Sequence, residues 1–419
     1  MTCRKKIMLL GGIHYLLPVI KAAHEKGYYV ITADYLPDNV AHKYSDEYVN
    51  VNIVDKDAVL KVAQEKQIDG IISFGVDPGV VAAAYVQEKM GLPSMGPYES
   101  VEILQNKDKF RAFLQEHGFN CPKSKSYLSV EDALADTDWL TWPMIVKPTD
   151  SAGSKGVTRV DRIEDYKAAV EEAFAKSYKG HIIVEQFLEK VGCSSDTDMF
   201  SVNGELRVVT YNAQRFDANA INPYVPAAFT WPSTYTQEQE AYLTSEIQRL
   251  LHLLHMGTTV YNIETRIATD GKPYIMEVSP RGGGNRLAES VRYASGVDMI
   301  TAAVRAAVGD EIEQFIPSVA EGARVNYKCH FAYVVLHAPK SGVFRGLNID
   351  ADFWNKHHVE PLDLWVKPGE YVESFTGANA TIGTFPCRFE SKEEMEFAIT
   401  HQSEWLDVKV ESGKRKEES

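Results

Sequence analysis

The chain of 419 residues carries 44 Lys and Arg residues against 58 Asp and Glu residues, a formal net charge of −14. This acidic excess argues against nucleic acid or an anionic membrane surface as the main partner, although a few local basic residues suffice to bind a nucleotide. The length predicts about two to four domains, and 44% hydrophobic residues is ordinary for a globular protein.

The cysteines and the N-terminus favour a cytoplasmic protein. The cysteines are odd in number and widely separated, which fits a reducing compartment and gives no zinc site. They are Cys3, Cys121, Cys193, Cys329 and Cys387. The basic N-terminus resembles a signal peptide, but Gly11, Gly12 and His14 interrupt its apolar run. No stretch reaches the ~18 apolar residues of a membrane span, so we expect no membrane partner.

Residues 1–97 follow the pattern of a Rossmann-like domain, because short apolar strands alternate with amphipathic helices. The predicted strands are 6–12, 28–34 and 69–75, and the predicted helices are 14–26, 56–66 and 79–90. The first glycine turn lacks the third glycine of a dinucleotide fingerprint, so a scaffold for a substrate pocket is favoured over NAD or FAD binding. Asp34 and Asp77 follow strands, where such folds place ligand contacts.

Two lysines mark the next part of the chain. We predict one amphipathic helix over 98–117 that contains Lys107. Lys147 lies in an otherwise apolar strand, 142–148, where an ammonium group is costly unless it meets an anion. The loop TDSAGSKGV at 149–157 has small residues whose backbone N–H groups can approach a phosphate. A plain hairpin turn is the alternative for that loop.

The following segments have both a functional and a structural interpretation. The strand 181–189 contains VEQFLE, which could offer its backbone to an adenine edge or be an ordinary core strand. An Asn203-Gly204 turn predicts a hairpin over 197–211. Residues 212–236 show no clear period and are predicted to form a long loop that is either functional or mobile. Arg215 in this loop is either a carboxylate ligand or a surface arginine.

The stretch NIETRIATDGKPYIMEVSPRGGGN at 262–285 predicts a hairpin with two opposed carboxylates. A two-residue Asp270-Gly271 loop would set its register. The opposed pairs would be Glu264 with Glu277 and Asn262 with Ser279. Directly opposed carboxylates repel each other, so a hard divalent cation is favoured, with the Asn or Ser supplying further oxygens. Alternatively, the glutamates lie on a solvated face and Arg266 neutralises them.

A glycine segment and a strand-rich part complete the chain. Arg281 is followed by Gly282–Gly284 and a predicted helix over 286–308, whose N-terminus is suited to bind an anion. Strands dominate from about residue 323, and a helix is predicted at 391–400.

The order of these parts resembles the ATP-grasp superfamily. It is similar in particular to the carboxylate–amine ligases and the biotin-carboxylase-like enzymes, over residues 5–400, and the strongest motif is Glu264 with Glu277-Val-Ser-Pro-Arg281. The resemblance implies an α/β and α+β multidomain fold. Its parts would be a Rossmann-like pre-ATP-grasp domain (1–97), an ATP-grasp domain (98–322) with a flap-bearing small subdomain (about 123–188), a C-terminal β-rich domain (323–410) and a disordered tail (411–419).

The resemblance also implies residue roles. The implied ATP-binding residues are Lys107, Lys147, Ser151, Gly153, Ser154 and Gly156 for the phosphates, the Glu185 carboxylate for the adenine amino group, and the backbone of Gln186, Phe187 and Leu188 for the base edge. Glu264, Glu277 and Ser279 would hold two Mg²⁺ ions, with Mn²⁺ as a substitute. Arg281 would be catalytic, stabilising an acyl phosphate and a tetrahedral intermediate. Arg215, Gly283 and Gly284 are candidates for substrate binding.

Two departures from the family pattern concern the metal and the ribose. The family places Asn where this chain has Ser279, so either Ser279 or the opposed Asn262 would supply the further metal ligand. The family also has a glutamate for the ribose hydroxyls, which 192–198 lacks, and Asp196 is the candidate in its place.

The predicted function is an ADP-forming carboxylate–amine ligase, of the amino-acid ligase type, that uses ATP and Mg²⁺ to join two small molecules. The alternatives are a carboxylase-type enzyme that forms carboxyphosphate, a purine-biosynthetic ligase that forms a formyl phosphate or handles a ribonucleotide, and a non-catalytic ATP-binding module. The family resemblance also implies a homodimer.

Overall fold

The computed structural model describes residues 4–149, 156–223, 225–316, 323–359 and 362–413. Within these ranges the chain forms five β-sheets with helices packed around them. The structure therefore has the predicted mixed α/β multidomain architecture. No described helix is long and apolar enough to cross a membrane. The predicted disordered tail lies largely outside the described residues, which end at 413.

The N-terminal sheet is parallel, with strand order β3-β2-β1-β4. Its elements are β1 (Lys6–Leu10), β2 (Tyr29–Asp34), β3 (Glu47–Asn50), β4 (Gly70–Ser73), α1 (Leu17–Glu25), α2 (Lys56–Lys66) and α3 (Val80–Met90), with 3₁₀ turns at His14–Leu16, Val40–Lys43 and Asp77–Gly79. The central strand β1 is buried almost throughout, as expected for a sheet covered on both faces. Strand β3 was not predicted, because its residues EYVN carry no apolar period.

The second sheet is antiparallel, with strand order β5-β8-β6-β7. Its strands are β5 (Ser124–Tyr127), β6 (Met144–Pro148), β7 (Thr158–Val160) and β8 (Ile182–Gln186), and the neighbouring helices are α4 (Tyr98–Gln105), α5 (Lys107–Glu116), α6 (Val130–Ala135) and α7 (Ile163–Lys176). The predicted single helix over 98–117 is wrong. Asn106 is extended and its side-chain amide donates to the Glu102 carbonyl at 2.6 Å, which competes with the helix. Lys107 consequently begins helix α5.

Three further antiparallel sheets contain the remaining strands. These are β9 (Ser195–Val202), β10 (Glu205–Val208), β11 (Ala213–Phe216), β12 (Pro226–Trp231), β13 (Thr259–Ile267), β14 (Pro273–Ser279), β15 (His330–His337), β16 (Gly342–Ile349), β17 (Asp363–Leu364), β18 (Tyr371–Val372), β19 (Thr381–Phe389) and β20 (Leu406–Glu411). The strand orders are β10-β9-β13-β14, β11-β12-β15-β19-β17 and β18-β16-β20. The helices are α8 (Gln237–Leu253), α9 (Leu287–Ser295), α10 (Met299–Ala307), α11 (Ala351–His357), α12 (Lys392–Thr400) and α13 (Gln402–Trp405), with a 3₁₀ turn at Ala378–Ala380.

The predicted long loop over 212–236 is wrong, because it contains β11 and β12. Strand β12 pairs with the distant β15, placing Ala228 opposite Val334. Ala227 to Trp231 are buried on both faces of the sheet, so they show no alternation that would reveal a strand. This sheet draws strands from both sides of residue 322, and the predicted domain boundaries stay predictions.

The predicted helix over 286–308 is two helices, α9 and α10. Gly296, with φ +92°, ends the first helix in the left-handed region. The Asp298 side chain then accepts from Thr301 N at 3.0 Å and caps the second.

Candidate active site

The central hairpin places the two glutamates as predicted. Glu264 lies opposite Glu277, and Asn262 lies opposite Ser279. Burial raises the pKa of Glu264 despite the Arg266 guanidinium, which lies 3.5 Å from its carboxylate, and the Glu277 charge adds to the rise. The opposed carboxylates are thus only partly neutralised within the chain.

The predicted two-residue loop is wrong, although the register at the glutamates is right. Ala268 N donates to Lys272 O at 3.0 Å, so the loop has three residues, and Gly271 takes φ +79°. A bulge beside Glu264 gives β14 one extra residue, Met276, between the partners of Thr265 and Glu264. The three-residue loop shifts the strand register by one residue, and the extra residue Met276 restores it, so Glu264 and Glu277 still face each other.

Strand β9 adds two carboxyl groups beside the hairpin, the half-buried Asp196 and the fully buried Asp198. Asp196 pairs with Glu264, and Asp198 pairs with Asn262. Burial, with the Glu264 charge, raises the pKa of Asp196 to about 8, and burial raises the pKa of Asp198 to about 7. Asn262 Nδ2 donates to Asp196 Oδ1 at 2.7 Å and to Asp198 Oδ1 at 3.3 Å. This face of the sheet therefore concentrates carboxyl groups whose charged form is disfavoured, and a bound cation would favour that charged form.

Lys147 meets an anion, as its burial predicts, but the anion belongs to the protein. Its ammonium pairs with Glu185, whose other oxygen accepts from Arg111 Nε at 3.0 Å. Burial opposes the Glu185 charge, yet Lys147 and Arg111 outweigh it and lower the pKa of Glu185 to about 2. Both Glu185 oxygens are engaged, so the structure does not present this carboxylate free for an adenine amino group.

The backbone after Glu185 is only partly available for a base edge. Gln186 N donates to Lys123 O at 2.8 Å, and Phe187 N donates to Pro143 O at 3.0 Å. In the described ranges the N–H of Leu188 has no protein acceptor. Leu188 N–H is therefore the member of this set that could bind an adenine ring nitrogen.

Arg281 is held by the carboxylate of Asp77, in the 3₁₀ turn that follows β4 of the N-terminal sheet. Its Nε donates to Asp77 Oδ1 at 2.8 Å, its Nη2 to Asp77 Oδ2 at 2.7 Å, and its Nη1 to Gly282 O at 2.9 Å. A guanidinium has five N–H groups, so two remain for a ligand oxygen. Ser279 Oγ donates to the same Asp77 at 3.1 Å and accepts from Gln105 Nε2 at 2.8 Å.

The glycine segment differs from the predicted anion site. Gly283 N donates to Asp198 Oδ1 at 2.8 Å, and Ala288 N–H also helps to hold down the pKa of that carboxyl. A protein carboxylate therefore already occupies the N-terminus of α9. Gly284 lies against the Tyr15 ring, where an added Cβ would approach 3.2 Å from the ring edge.

The remaining residues that the sequence predicts to bind substrate or phosphate contact other parts of the chain or lie outside the described ranges, except Lys107. Arg215 pairs with Glu396 of α12 at 2.5 Å and donates to Thr230, so it is not a free carboxylate ligand. Gly156 has φ +71° and packs beside Lys176 and Pro148. The flap residues Ser151, Gly153 and Ser154 lie outside the described ranges. Lys107 is close enough to Asp77 to help lower the pKa of that carboxyl.

Sequence reasoning missed several residues of this site, although signals for two of them were present. Arg111 lies one helical turn after Lys107, on the same helix face. Asp198 follows Asp196 at the two-residue period of a strand, so both share one face. Gln105 has no such signal, because its role depends on a contact with a residue 174 positions away.

The donor set at the hairpin fits a hard divalent cation. No cluster of three or more acidic, histidine or cysteine side chains that could hold a metal is found among the described residues. Glu264, Glu277 and the Asn262 amide nevertheless offer oxygen ligands on one face. Mg²⁺ characteristically takes one or two carboxylates and completes its shell with phosphate oxygens and waters.

The fold and this site define a class. Residues 140–289 match the family model of the ATP-grasp domain. Over these residues the match agrees with the predicted resemblance to the ATP-grasp superfamily. ATP-grasp enzymes in general use ATP and Mg²⁺.

Individual relatives and structural neighbours are similar at low sequence identity. The carbamoyl phosphate synthase large chain of Thermotoga petrophila is 25% identical over 327 residues, which cover 75% of this chain and 29% of the relative. The chain thus spans less than a third of that relative's length. The L-amino acid ligase of Bacillus licheniformis superposes with a TM-score of 0.80 at 19% identity, covering 98% of this chain and 100% of the other. Phosphoribosylglycinamide synthetase of Anaerococcus prevotii gives 0.77 at 18% identity, covering 98% and 100%. These similarities confirm the fold, and the predicted class of ATP-dependent ligase is the class of these proteins.

Proposed function

We propose that the chain is an ADP-forming carboxylate–amine ligase. It would activate a small carboxylate with Mg-ATP as an acyl phosphate and transfer the acyl group to an amine. The similarity to ATP-grasp enzymes supports ATP as the phosphoryl donor. The residues around the hairpin support the proposed chemistry.

The observation that carries the proposal is the convergence of charges from three sheets around Glu264 and Glu277. Lys147 of the second sheet affects the pKa of Glu264. Arg281 follows the hairpin; burial opposes its charge, but Asp77 above all, with Glu277 among the other carboxylates, raises its pKa. Asp77, in the turn after β4 of the N-terminal sheet, binds the same guanidinium. Cations and carboxylates arranged in this way suit a reaction in which phosphate charge moves while the protein stays fixed.

The proposed reaction has two steps. A carboxylate oxygen attacks the γ-phosphorus of ATP, the bond from that phosphorus to the β–γ bridging oxygen breaks, and ADP leaves. The amine nitrogen then attacks the acyl carbon, the bond to phosphate breaks, and the nitrogen loses a proton. Arg281 would bind the oxygens that gain charge in both steps, using its two remaining N–H groups.

Each charged group has a distinct part in this scheme. Lys107 and Lys147 would bind non-bridging phosphate oxygens, with Lys147 oriented by Glu185. Asn262, Glu264 and Glu277 would hold the metal by oxygen ligands. Mg²⁺, when bound, would withdraw charge from the β–γ bridge.

We further propose that both substrates are amino-acid-like, as the resemblance to amino-acid ligases implies. A second candidate is an enzyme that activates bicarbonate, which is favoured by the sequence identity to carbamoyl phosphate synthase. A cytoplasmic location and a homodimer stay predictions.

The test is phosphate release from Mg-ATP with amino acids supplied singly and in pairs, comparing the wild-type chain with Glu277→Gln. Release that needs a pair of substrates, and falls about 10²-fold or more in the variant, is expected. The exposed Glu65→Gln on α2 is the control and should leave release unchanged. Equal release from wild type and Glu277→Gln would contradict the proposed metal site, and stimulation by bicarbonate alone would favour the second candidate.

A further inference from the structure

The hydroxyl of Ser279, at the position of the family's asparagine, is committed to other partners. Ser279 is 1% exposed, its one proton goes to Asp77 Oδ1 at 3.1 Å, and its oxygen accepts from Gln105 Nε2 at 2.8 Å. Asp77 in turn binds Arg281. Ser279 therefore belongs to the network that fixes Arg281, and a metal would have to compete with Gln105 for its oxygen.

Asn262, on the opposite strand, differs from Ser279 because its hydrogen bonds to the protein involve only its amide nitrogen. Its Nδ2 donates to Asp196 Oδ1 and to Asp198 Oδ1, at 2.7 and 3.3 Å. Both carboxyl groups accept from the amide nitrogen, so the nitrogen end of the amide faces them. In the described part of the chain no donor contacts Asn262 Oδ1. Because the oxygen and nitrogen of an amide point in different directions, Oδ1 is directed away from the two aspartates.

Asn262 also lies on the correct face of the hairpin. It precedes Glu264 by two residues in β13, so both side chains project to the same side. It is diagonal to Glu277, at a typical Cβ separation of about 7–8 Å that a shared cation can bridge. An amide oxygen is a ligand type that hard divalent cations accept.

We propose that the amide oxygen of Asn262, and not the hydroxyl of Ser279, completes the metal site with Glu264 and Glu277. The inference rests on the proposed function, because it assumes a cation that bridges these carboxylates and a nucleotide. In this chain the third metal ligand would lie on β13, at Asn262, and not on β14, where the family has its asparagine. Asp196 and Asp198 are then positioning residues, since they orient the amide without touching the metal.

The test measures how much Mg²⁺ tightens ADP binding, by titrating ADP in Mg²⁺ and in EDTA. Asn262→Ala should lose roughly 10-fold or more of this tightening and keep the wild-type ADP affinity in EDTA. The matched variant Ser279→Ala should retain the tightening. The second variant is Asn262→Gln, which keeps the amide but shifts its oxygen. The ADP affinity in EDTA shows whether each variant is folded.

Each outcome separates the inference from the proposed function. Loss of tightening in Ser279→Ala with retention in Asn262→Ala would overturn the inference and leave the ligase standing. Retention in both variants would also overturn it, because neither side chain would then be a ligand. A wild-type chain that binds no ADP in Mg²⁺ would remove the proposed function and the inference together.

Discussion

At the scale of single residues, the most instructive group is the buried cluster of Lys147, Glu185 and Arg111. The side chains of Arg111 and Glu185 are 6% and 5% exposed, and that of Lys147 is 13% exposed. Two cations share one carboxylate, so the cluster keeps a net positive charge beside the hairpin. That positive charge is suited to bind phosphate oxygens. Glu185 is the counter-charge that allows the two cations to be buried.

Replacement of Glu185 should therefore destabilise the protein strongly. Glu185→Gln leaves two buried cations without a counter-charge, and breaking a buried pair in this way typically costs about 3–5 kcal/mol. Urea denaturation should detect this as a lower free energy of unfolding. Glu189→Gln is the matched control, because the Glu189 side chain is 47% exposed and its ion pair with Arg159 is worth about 1 kcal/mol or less.

The contribution of Glu185 should also depend on pH. Its pKa is about 2 in the folded chain against an ordinary value of 4.5. A carboxyl whose folded pKa is lowered stabilises the fold above the ordinary value and loses that contribution as the pH falls toward the folded value. The difference in unfolding free energy between wild type and Glu185→Gln should shrink between pH 4.5 and 2. A difference that grows over this interval would contradict the ion-pair assignment.

Sequence reasoning reached the chemistry of these residues but not their partners. An apolar strand around Lys147 correctly predicted that its ammonium meets an anion. Nothing local indicated that the anion is Glu185, 38 residues away. The same limit applies to Arg281, since its carboxylate Asp77 lies 204 residues away. Charge and burial are readable from a sequence, whereas long-range pairing depends on the assembled fold.

At the scale of elements, the β13–β14 hairpin explains how a partly wrong prediction gave the right pair. The loop contains residues 269–271, with Gly271 in the left-handed region, and Met276 forms a bulge. Dipeptide statistics favour two-residue loops for Asp-Gly, and they contain no information on a bulge five residues further on. Glu264 and Glu277 are opposed because the two deviations cancel.

The hairpin loop can be tested through Gly271. At φ +79° a Cβ is unfavourable, so Gly271→Ala should lower the free energy of unfolding by about 1–2 kcal/mol. Gly271→Asn should cost less, because asparagine tolerates this region of backbone conformation. Lys272→Ala, at the exposed neighbouring position, serves as the control in the same denaturation series. Equal stability of Gly271→Ala and wild type would contradict the three-residue loop.

At the scale of the whole molecule, the N-terminal sheet is tightly docked against the segment after the hairpin. Phe74 forms a parallel bridge with Gly282, and Gly75 N donates to Gly282 O at 2.9 Å. The Phe74 ring occupies the space where a side chain on residue 282 would begin. The glycine is thus required by a contact between sheets, and not by a local turn.

This docking predicts a position-specific effect of an added methyl group. Gly282→Ala would overlap the Phe74 ring and should cost about 1–3 kcal/mol of stability. The additional change Phe74→Leu should recover part of that loss, which a double-mutant cycle measures. Gly377→Ala is the control, because its backbone is extended and no atom lies within 4 Å of an added Cβ. An equal cost at both glycines would contradict the docked arrangement.

The Asp77–Arg281 ion pair has a consequence for dividing the chain. A fragment that begins after residue 97 would keep Lys107, Lys147 and both hairpin glutamates, but its arginine would lack a carboxylate partner. Residues 4–97 carry that partner in the turn after β4, next to a sheet with its own buried strands. If the two fragments were expressed separately, the fragment after residue 97 would bind the nucleotide. Its Arg281 guanidinium would be aligned only after the two fragments associate. Fragment complementation would thus separate the binding of ATP from its use.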